Sequence, residues 1–184
     1  WNISTYPGIF GKSMCVFNGF GQSNFSWFLR THPNILEIYS KLLKTRNLVT
    51  SLDGFSLVVS NKQQSKSWHH VDQNPQNDIL SYQASYNYFK VDENDAGFVI
   101  APKSHLEFKP EVSHKRNWIK VPIDSMWNEK VLKLCIPENC FTIWNSKIIH
   151  ANTGITKKHK ITKINRLTVY IAMLPRELQS EKIR

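Results

Sequence analysis

Apolar residues recur at two different periods along this chain. Ile35, Ile38, Tyr39, Leu42 and Leu43 fall at i, i+3, i+4, i+7 and i+8, which is one apolar stripe of a helix. Pro33 suits the first turn of that helix, where its missing N–H is not needed, and Asn47 marks its expected end. A shorter helix is predicted over 23–30, stopped by Thr31-His32-Pro33. From Leu48 the period changes. Segments 55–60, 81–91, 97–101, 131–136, 140–145 and 166–174 are short, rich in aromatic and β-branched residues, and bounded by turn residues. The first 22 residues read as irregular, with one short strand over 13–17. Residues 103–129 show no clear period and predict a long excursion, with a helix near 125–129.

Strands separated by turns, without alternating helices, indicate antiparallel sheet. The expectation is a mainly β protein with N-terminal helices, built as a double-stranded β-helix: a cupin-like jelly roll with a pocket between its sheets. A sandwich without a pocket shares the pattern. At 184 residues the chain predicts a single domain over 1–184, with 1–50 as irregular and helical support and 51–184 as the jelly-roll core.

Composition narrows the setting. No apolar run approaches the roughly 18 residues of a membrane span. The three cysteines, Cys15, Cys135 and Cys140, are odd in number and irregularly spaced, which favours a reducing, cytoplasmic compartment over a disulfide framework. The chain opens on Trp1 rather than Met, which reads as a trimmed end. A net charge of +10 suits an anionic small-molecule substrate or nucleic acid, but a solvated basic surface is the favoured reading.

The chemistry centres on Trp68-His69-His70-Val71-Asp72-Gln73-Asn74-Pro75. In an extended segment residues i and i+2 share a side, so His70 and Asp72 would grip one metal ion together, with His69 facing away. Two imidazoles and a carboxylate on one face of a metal form the arrangement used for non-heme Fe(II) and O2 chemistry. The third ligand must lie further on, and His150, on what reads as a late strand, is the candidate. Arg166 follows sixteen residues later and opens a strand on which Arg166, Thr168 and Tyr170 share one face. A buried guanidinium needs a partner: it fits a carboxylate bidentately, and Thr168 is placed to donate to the same oxygens. A structural Arg–Asp pair is the competing reading. Gln83 and Asn87 share a face of the 81–91 strand and are expected to reach the same pocket.

Four stretches carry a family resemblance. They are the His-x-Asp stretch; Asp95-Ala96-Gly97-Phe98-Val99-Ile100-Ala101-Pro102-Lys103-Ser104-His105; Thr142-Ile143-Trp144-Asn145-Ser146-Lys147-Ile148-Ile149-His150; and Asn165-Arg166-Leu167-Thr168-Val169-Tyr170. In this order, over roughly residues 15–175, the chain resembles the phytanoyl-CoA dioxygenase family of Fe(II)- and 2-oxoglutarate-dependent oxygenases, closest to its small viral, algal and fungal members. The resemblance implies His70, Asp72 and His150 as iron ligands and Arg166 as the clamp on the far carboxylate of 2-oxoglutarate. It also implies Asn152 as a polar contact to that cosubstrate, and O2 as co-reactant. The implied reaction is hydroxylation of a small molecule, with 2-oxoglutarate decarboxylated to succinate. Two features depart from the family. Lys103 stands where Gly is common, and the basic insertion 157–163 lengthens the spacing from His150 to Arg166.

Three other readings stay open at this point. The same ligands with zinc would serve a hydrolase. The basic insertion suits a nucleic-acid-directed oxygenase, but the second Arg such enzymes carry on this strand is missing from 168–173. A non-catalytic binding or virion protein would keep the fold alone.

Overall fold

The longest strand is the one that Arg166 opens, and both sides of the molecule are arranged around it. The computed structural model describes residues 9–10, 14–16, 19–58, 68–113, 115–156 and 164–179. In chain order the strands are β1 (Ile9–Phe10), β2 (Met14–Cys15), β3 (Leu48–Thr50), β4 (Phe55–Val58), β5 (His70–Val71) and β6 (Tyr82–Asn87). They continue as β7 (Gly97–Ile100), β8 (Ile119–Lys120), β9 (Leu132–Leu134), β10 (Cys140–Asn145), β11 (His150–Thr153) and β12 (Arg166–Pro175). Helices α1 (Asn24–Arg30) and α2 (Pro33–Leu43) precede β3, and α3 (Ser104–Glu107) follows β7.

The strands form two antiparallel sheets. The larger runs β1-β2-β4-β12-β6-β10, with β3 also paired to β12; the smaller runs β8-β5-β11-β7-β9. This is the expected double-stranded β-helix, with N-terminal helices as support. Among the described residues no helix is long and apolar enough to cross a membrane.

The alternation along β12 assigns its two faces. Val169, Ile171 and Met173 are buried on the outer face with Leu29, Ile35, Tyr39 and Ala84, so α1 and α2 cover that side of the larger sheet. Each such aliphatic side chain contributes about 1.5–3 kcal/mol on burial. Tyr39 adds a directional lock, its hydroxyl donating to the Ile171 carbonyl at 2.8 Å. The apolar stripe of α2 is narrower than its sequence suggests. Ile35 and Tyr39 are buried with Leu43 partly so, whereas Ile38 is exposed. The helix also ends before Asn47, because Lys44 takes the left-handed conformation at its C-cap.

The excursion 103–129 is not a loose loop. Phe108, Ile119, Val121 and Trp127 pack on Val71, Ala101 and Ile149 and cover the outer face of the smaller sheet. Within it, β8 pairs with β5, and Asn74 donates to the Ser113 and Arg116 carbonyls at 3.2 Å. The helix expected near 125–129 is a single 3-10 turn, Met126–Asn128. The expected strand 55–60 is described as far as Val58, and the loop 61–66 and the insertion 157–163 lie outside the described residues. The described cysteines are free thiols.

Gly54 shows how closely the sheet edge is fitted. A Cβ there would overlap the Cys15 carbonyl, a backbone atom that cannot swing away. Gly54→Ala is therefore expected to destabilise the fold by about 3 kcal/mol, the upper end for overpacking. Urea denaturation checks this, and an unchanged midpoint would contradict the β2–β4 fit.

Candidate metal and cosubstrate site

β5 and β11 are neighbours, and their register sets His70 directly opposite His150. Directly paired residues share a sheet face, so the two imidazoles meet, with ring centroids 4.5 Å apart. His150 opens β11, a late strand as expected, after a turn. Asp72 lies just beyond β5, where its backbone N–H and that of Gln73 donate to the Ser146 carbonyl. Its carboxylate stands 3.5 Å from His70 Nε2 and 3.3 Å from His150 Nε2. His69 points elsewhere, its Nδ1 2.8 Å from Asn128 Oδ1.

Each imidazole is held in the same way. His70 Nδ1 lies 2.9 Å from the Trp68 carbonyl, and His150 Nδ1 lies 2.9 Å from the Ile148 carbonyl. A carbonyl only accepts, so Nδ1 carries the proton of each neutral ring and Nε2 presents a lone pair. Three electron-pair donors, all within 4.8 Å of one another, thus converge on one point. They are mutually repulsive unless they share a cation, which is either a proton or a metal ion. Gln83 fixes the third donor: its Nε2 donates to Asp72 Oδ2 at 2.7 Å, and Trp144 Nε1 donates to Gln83 Oε1 at 3.1 Å.

The electrostatics agree. Burial acts to raise the Asp72 carboxyl, but hydrogen bonding and charge from His150, the charge of His70 and donation from Gln83 outweigh it and hold the group at about 2. His70 is pushed below its ordinary 6.5, first by burial and then by the charge of His150, against the pull of Asp72. Both shifts have one sign for stability. In each case the unfolded group takes its proton at a higher pH than the folded one, so acid favours unfolding. The metal-free protein is expected to lose stability below about pH 6.5 through His70, and again from about pH 4 towards 2 through Asp72. Melting temperatures in chelator across this range check it; a protein that gains stability on acidification would contradict the site's electrostatics.

Arg166 lies deeper between the sheets and is 2% exposed. Its Nε donates to Thr168 Oγ1 at 2.9 Å, and its Nη1 donates to the Gly97 carbonyl at 3.1 Å and to Asn152 Oδ1 at 2.8 Å. No carboxylate pairs with it among the described residues, so the structural Arg–Asp reading does not hold there. Among the described residues its Nη2 is buried without a hydrogen-bond partner. Burial pushes the guanidinium's pKa down, against the pull of the neighbouring Tyr170 hydroxyl. A second cation lies nearby. Lys133, which the sequence did not single out, donates to the Asp95 carbonyl and Thr153 Oγ1, and burial, then the charge of Arg166, lowers it to about 8. This end of the interior therefore favours an anion.

The remaining expected residues separate into two groups. Gln83 and Asn152 line a cavity of about 400 Å³ together with His70, Asp72 and His150. Tyr170 lines it too, its hydroxyl accepting from Asn152 Nδ2 at 2.8 Å. Thr168 and Asn87 are not among the residues that line the cavity, and neither is Arg166, which lies behind Asn152. Thr168 and Asn87 are both fully buried; Thr168 Oγ1 receives Arg166 Nε and donates to Asn87 Oδ1 at 2.9 Å, so they hold the guanidinium from behind. Trp118, from the excursion, was not anticipated. It lines the cavity with its ring centroid 5.6 Å from that of His70.

Comparison with known proteins places the fold. No protein-family model matches the chain. Ava biosynthesis cluster protein O of Aspergillus versicolor is 26% identical over 180 residues, covering 85% of this chain and 56% of that protein. The fold is similar to that of the epimerase SnoN, solved with Fe3+, alpha ketoglutarate and nogalamycin RO (TM-score 0.57, 14% identity, 83% of this chain and 59% of that one). It is also similar to the non-heme monooxygenase ThoJ as a Ni complex (TM-score 0.54, 14% identity, 83% and 54%). EvdO2 from Micromonospora carbonacea var. aurantiaca, complexed with 2-oxoglutarate, is a third (TM-score 0.53, 12% identity, 81% and 63%). This chain thus spans between 54% and 63% of the length of these proteins. At such identities the structural likeness establishes the fold, and the His-Asp-His cluster within it fits Fe(II).

Proposed function

We propose that this chain is an Fe(II)- and 2-oxoglutarate-dependent oxygenase that hydroxylates a small molecule, of the phytanoyl-CoA dioxygenase kind. One observation carries the reading. A cluster of three converging electron-pair donors shares an interior with a fully buried arginine that, among the described residues, has no carboxylate partner and an unused Nη2. The first asks for a cation and the second for a carboxylate: a metal ion would satisfy the first, and a keto diacid chelating that ion at one end would offer the second its other carboxylate. The iron and 2-oxoglutarate named by the SnoN structure, and the 2-oxoglutarate of EvdO2, support it by analogy.

His70, Asp72 and His150 would hold the metal, leaving the rest of its shell for cosubstrate and O2. Arg166, with Asn152 and Tyr170, would hold the far carboxylate. Bound there, the metal and cosubstrate supply oxidation of a C–H bond by O2, coupled to decarboxylation of 2-oxoglutarate to succinate. The protein's own contribution is positional. Trp68 and Ile148 offer backbone carbonyls that fix both imidazole tautomers, and Gln83 aims the Asp72 carboxylate. Thr168 and Asn87 keep the guanidinium planar fork in place. Trp144, Phe98 and Ile148 pack between the sheets and exclude water from that side of His150.

The reaction is tested by supplying the purified protein with Fe(II), 2-oxoglutarate and air and measuring succinate. Succinate is expected only when all three are present, and chelator should stop it. Zinc-dependent ester hydrolysis that ignores 2-oxoglutarate would instead establish the hydrolase reading.

A further inference from the structure

Lys133 stands on β9 between two leucines. Leu134 packs with Phe98 and Trp144 between the sheets, so alternation turns Lys133 to the other face, where a lysine ordinarily reaches into water. Here the side chain folds back instead. Its amine donates to the Asp95 carbonyl at 2.7 Å and to Thr153 Oγ1 at 2.9 Å. It lies over Gly97, where an added Cβ would stand 2.5 Å from Nζ. The carbonyl of the same glycine accepts from Arg166 Nη1 at 3.1 Å. One glycine therefore meets both cations, and its missing side chain leaves room for the amine.

Like charges so placed disfavour each other, and the acids of the chain only partly offset this. Of the 14 acidic residues, Glu181 alone lies outside the described residues. Among the rest, none forms an ion pair with Lys133 or Arg166. Asp95 is the acid whose charge acts on Lys133, and its carboxylate also accepts from Asn165 Nδ2 at 2.8 Å and from the Asp92 N–H at 2.9 Å. Burial first, then the charge of Arg166, bring the amine down to about 8, against the pull of Asp95 and of Cys135 just beyond β9. Electrostatic action is mutual. The charge of Arg166 is felt at Lys133, so an anion set against Arg166 is felt there too, with the opposite sign.

Resting on the oxygenase reading, we propose that Lys133 is a second cation of the cosubstrate site, a positioning residue that acts through Arg166 on the far carboxylate of 2-oxoglutarate and couples the binding of that carboxylate to uptake of a proton. Lys133 does not touch the acid. The carboxylate offsets the repulsion between the two cations, and in doing so it draws Lys133 into its charged form. The sign follows from linkage. In the free site the amine is partly neutral near pH 8, and the bound anion raises its pKa, so binding takes up protons there and weakens as pH rises through that range. Well below it the amine is charged in both states, and neither effect is seen.

2-Oxopentanoate supplies the control, because it has the same carbon chain and keto-acid end without the far carboxylate. Calorimetry of the Ni(II)-loaded protein with each keto acid, in buffers of different ionisation enthalpy at about pH 7 and about pH 8.5, measures affinity and protons together. Protons exchanged at the metal are common to both ligands and cancel. 2-Oxoglutarate is expected to take up more protons than 2-oxopentanoate at the higher pH, and to lose at least about threefold more affinity between the two. Lys133→Met should remove the excess uptake and weaken 2-oxoglutarate at the lower pH by at least about threefold, while leaving 2-oxopentanoate unchanged. The wild-type comparison decides the matter even if that variant does not fold: equal uptake with the two acids overturns the proposal. An excess that survives Lys133→Met overturns it as well, and so does equal weakening of both acids, the mark of a residue that serves only the fold. Binding of both acids without these differences sinks this proposal alone, whereas binding of neither sinks the oxygenase reading with it.

Discussion

Asp72→Ala is expected to abolish metal-dependent turnover. The carboxylate is the sole anion among the three converging donors, and it stands 3.5 and 3.3 Å from the two Nε2 atoms. Without it, two neutral imidazoles remain, each with its Nδ1 proton tied to a carbonyl. Loss of a residue that merely orients a ligand costs about 10- to 100-fold in metal affinity, so loss of the charged ligand itself should exceed about 100-fold. Asp72→Asn separates charge from shape. The amide can still accept from Gln83 Nε2, so the fold should be kept while metal binding falls. Metal content after dialysis, measured beside the unfolding midpoint, reads both effects. A fully metallated or fully active Asp72→Ala protein would refute the ligand assignment.

Arg166→Ala is expected to raise the Kd for 2-oxoglutarate by about 2–5 kcal/mol, the range for truncating one partner of a buried charged pair. That is roughly 30- to 5,000-fold. Metal affinity should hardly change, because Arg166 touches none of His70, Asp72 or His150; its partners are Thr168, Gly97 and Asn152. The variant also strips a donor from the Gly97 carbonyl and Asn152 Oδ1. Each buried acceptor left unsatisfied costs about 1–3 kcal/mol, so some loss of stability should accompany the loss of affinity. Arg166→Lys distinguishes the two effects. It keeps the charge but lacks the fork, and should recover only part of the binding. A 2-oxoglutarate affinity unchanged in both variants would show that the buried guanidinium serves only the fold.

The parts of this site that could be read from sequence were those whose signal is local. His70 and Asp72 stand two apart in an extended segment, and that spacing alone places them on one side. The inward set Arg166, Thr168 and Tyr170 likewise follows from alternation along one strand. What required the fold was pairing between distant strands. The meeting of His70 with His150 depends on the register of β5 against β11, and β5 is only two residues long. Thr168 and Asn87 face inward as their positions predict, but period cannot say how deep a residue sits, and here depth makes them supports of Arg166 rather than cavity contacts. Trp118 carried no signal at all. Its place is set by Asn74 holding the excursion and by Ile119 and Val121 packing on Val71, contacts between segments with no shared period. Ile38 fits the apolar stripe of α2 yet is exposed, because the sheet meets a narrower face of the helix than the stripe suggests. Lys133 escaped notice for the reverse reason, since a lysine on a short edge strand ordinarily reads as solvated and here its amine is turned inward over Gly97.

The proposed holding of one metal and one keto diacid by His70, Asp72, His150 and Arg166 is tested most directly by anaerobic titration of the Fe(II)-loaded protein with 2-oxoglutarate. The weak visible charge-transfer band of a chelated keto acid should grow to saturation at one equivalent per chain, vanish in His150→Ala, and require far more 2-oxoglutarate in Arg166→Ala. A protein that binds iron without developing the band, or that develops it equally well in His150→Ala, would contradict the account.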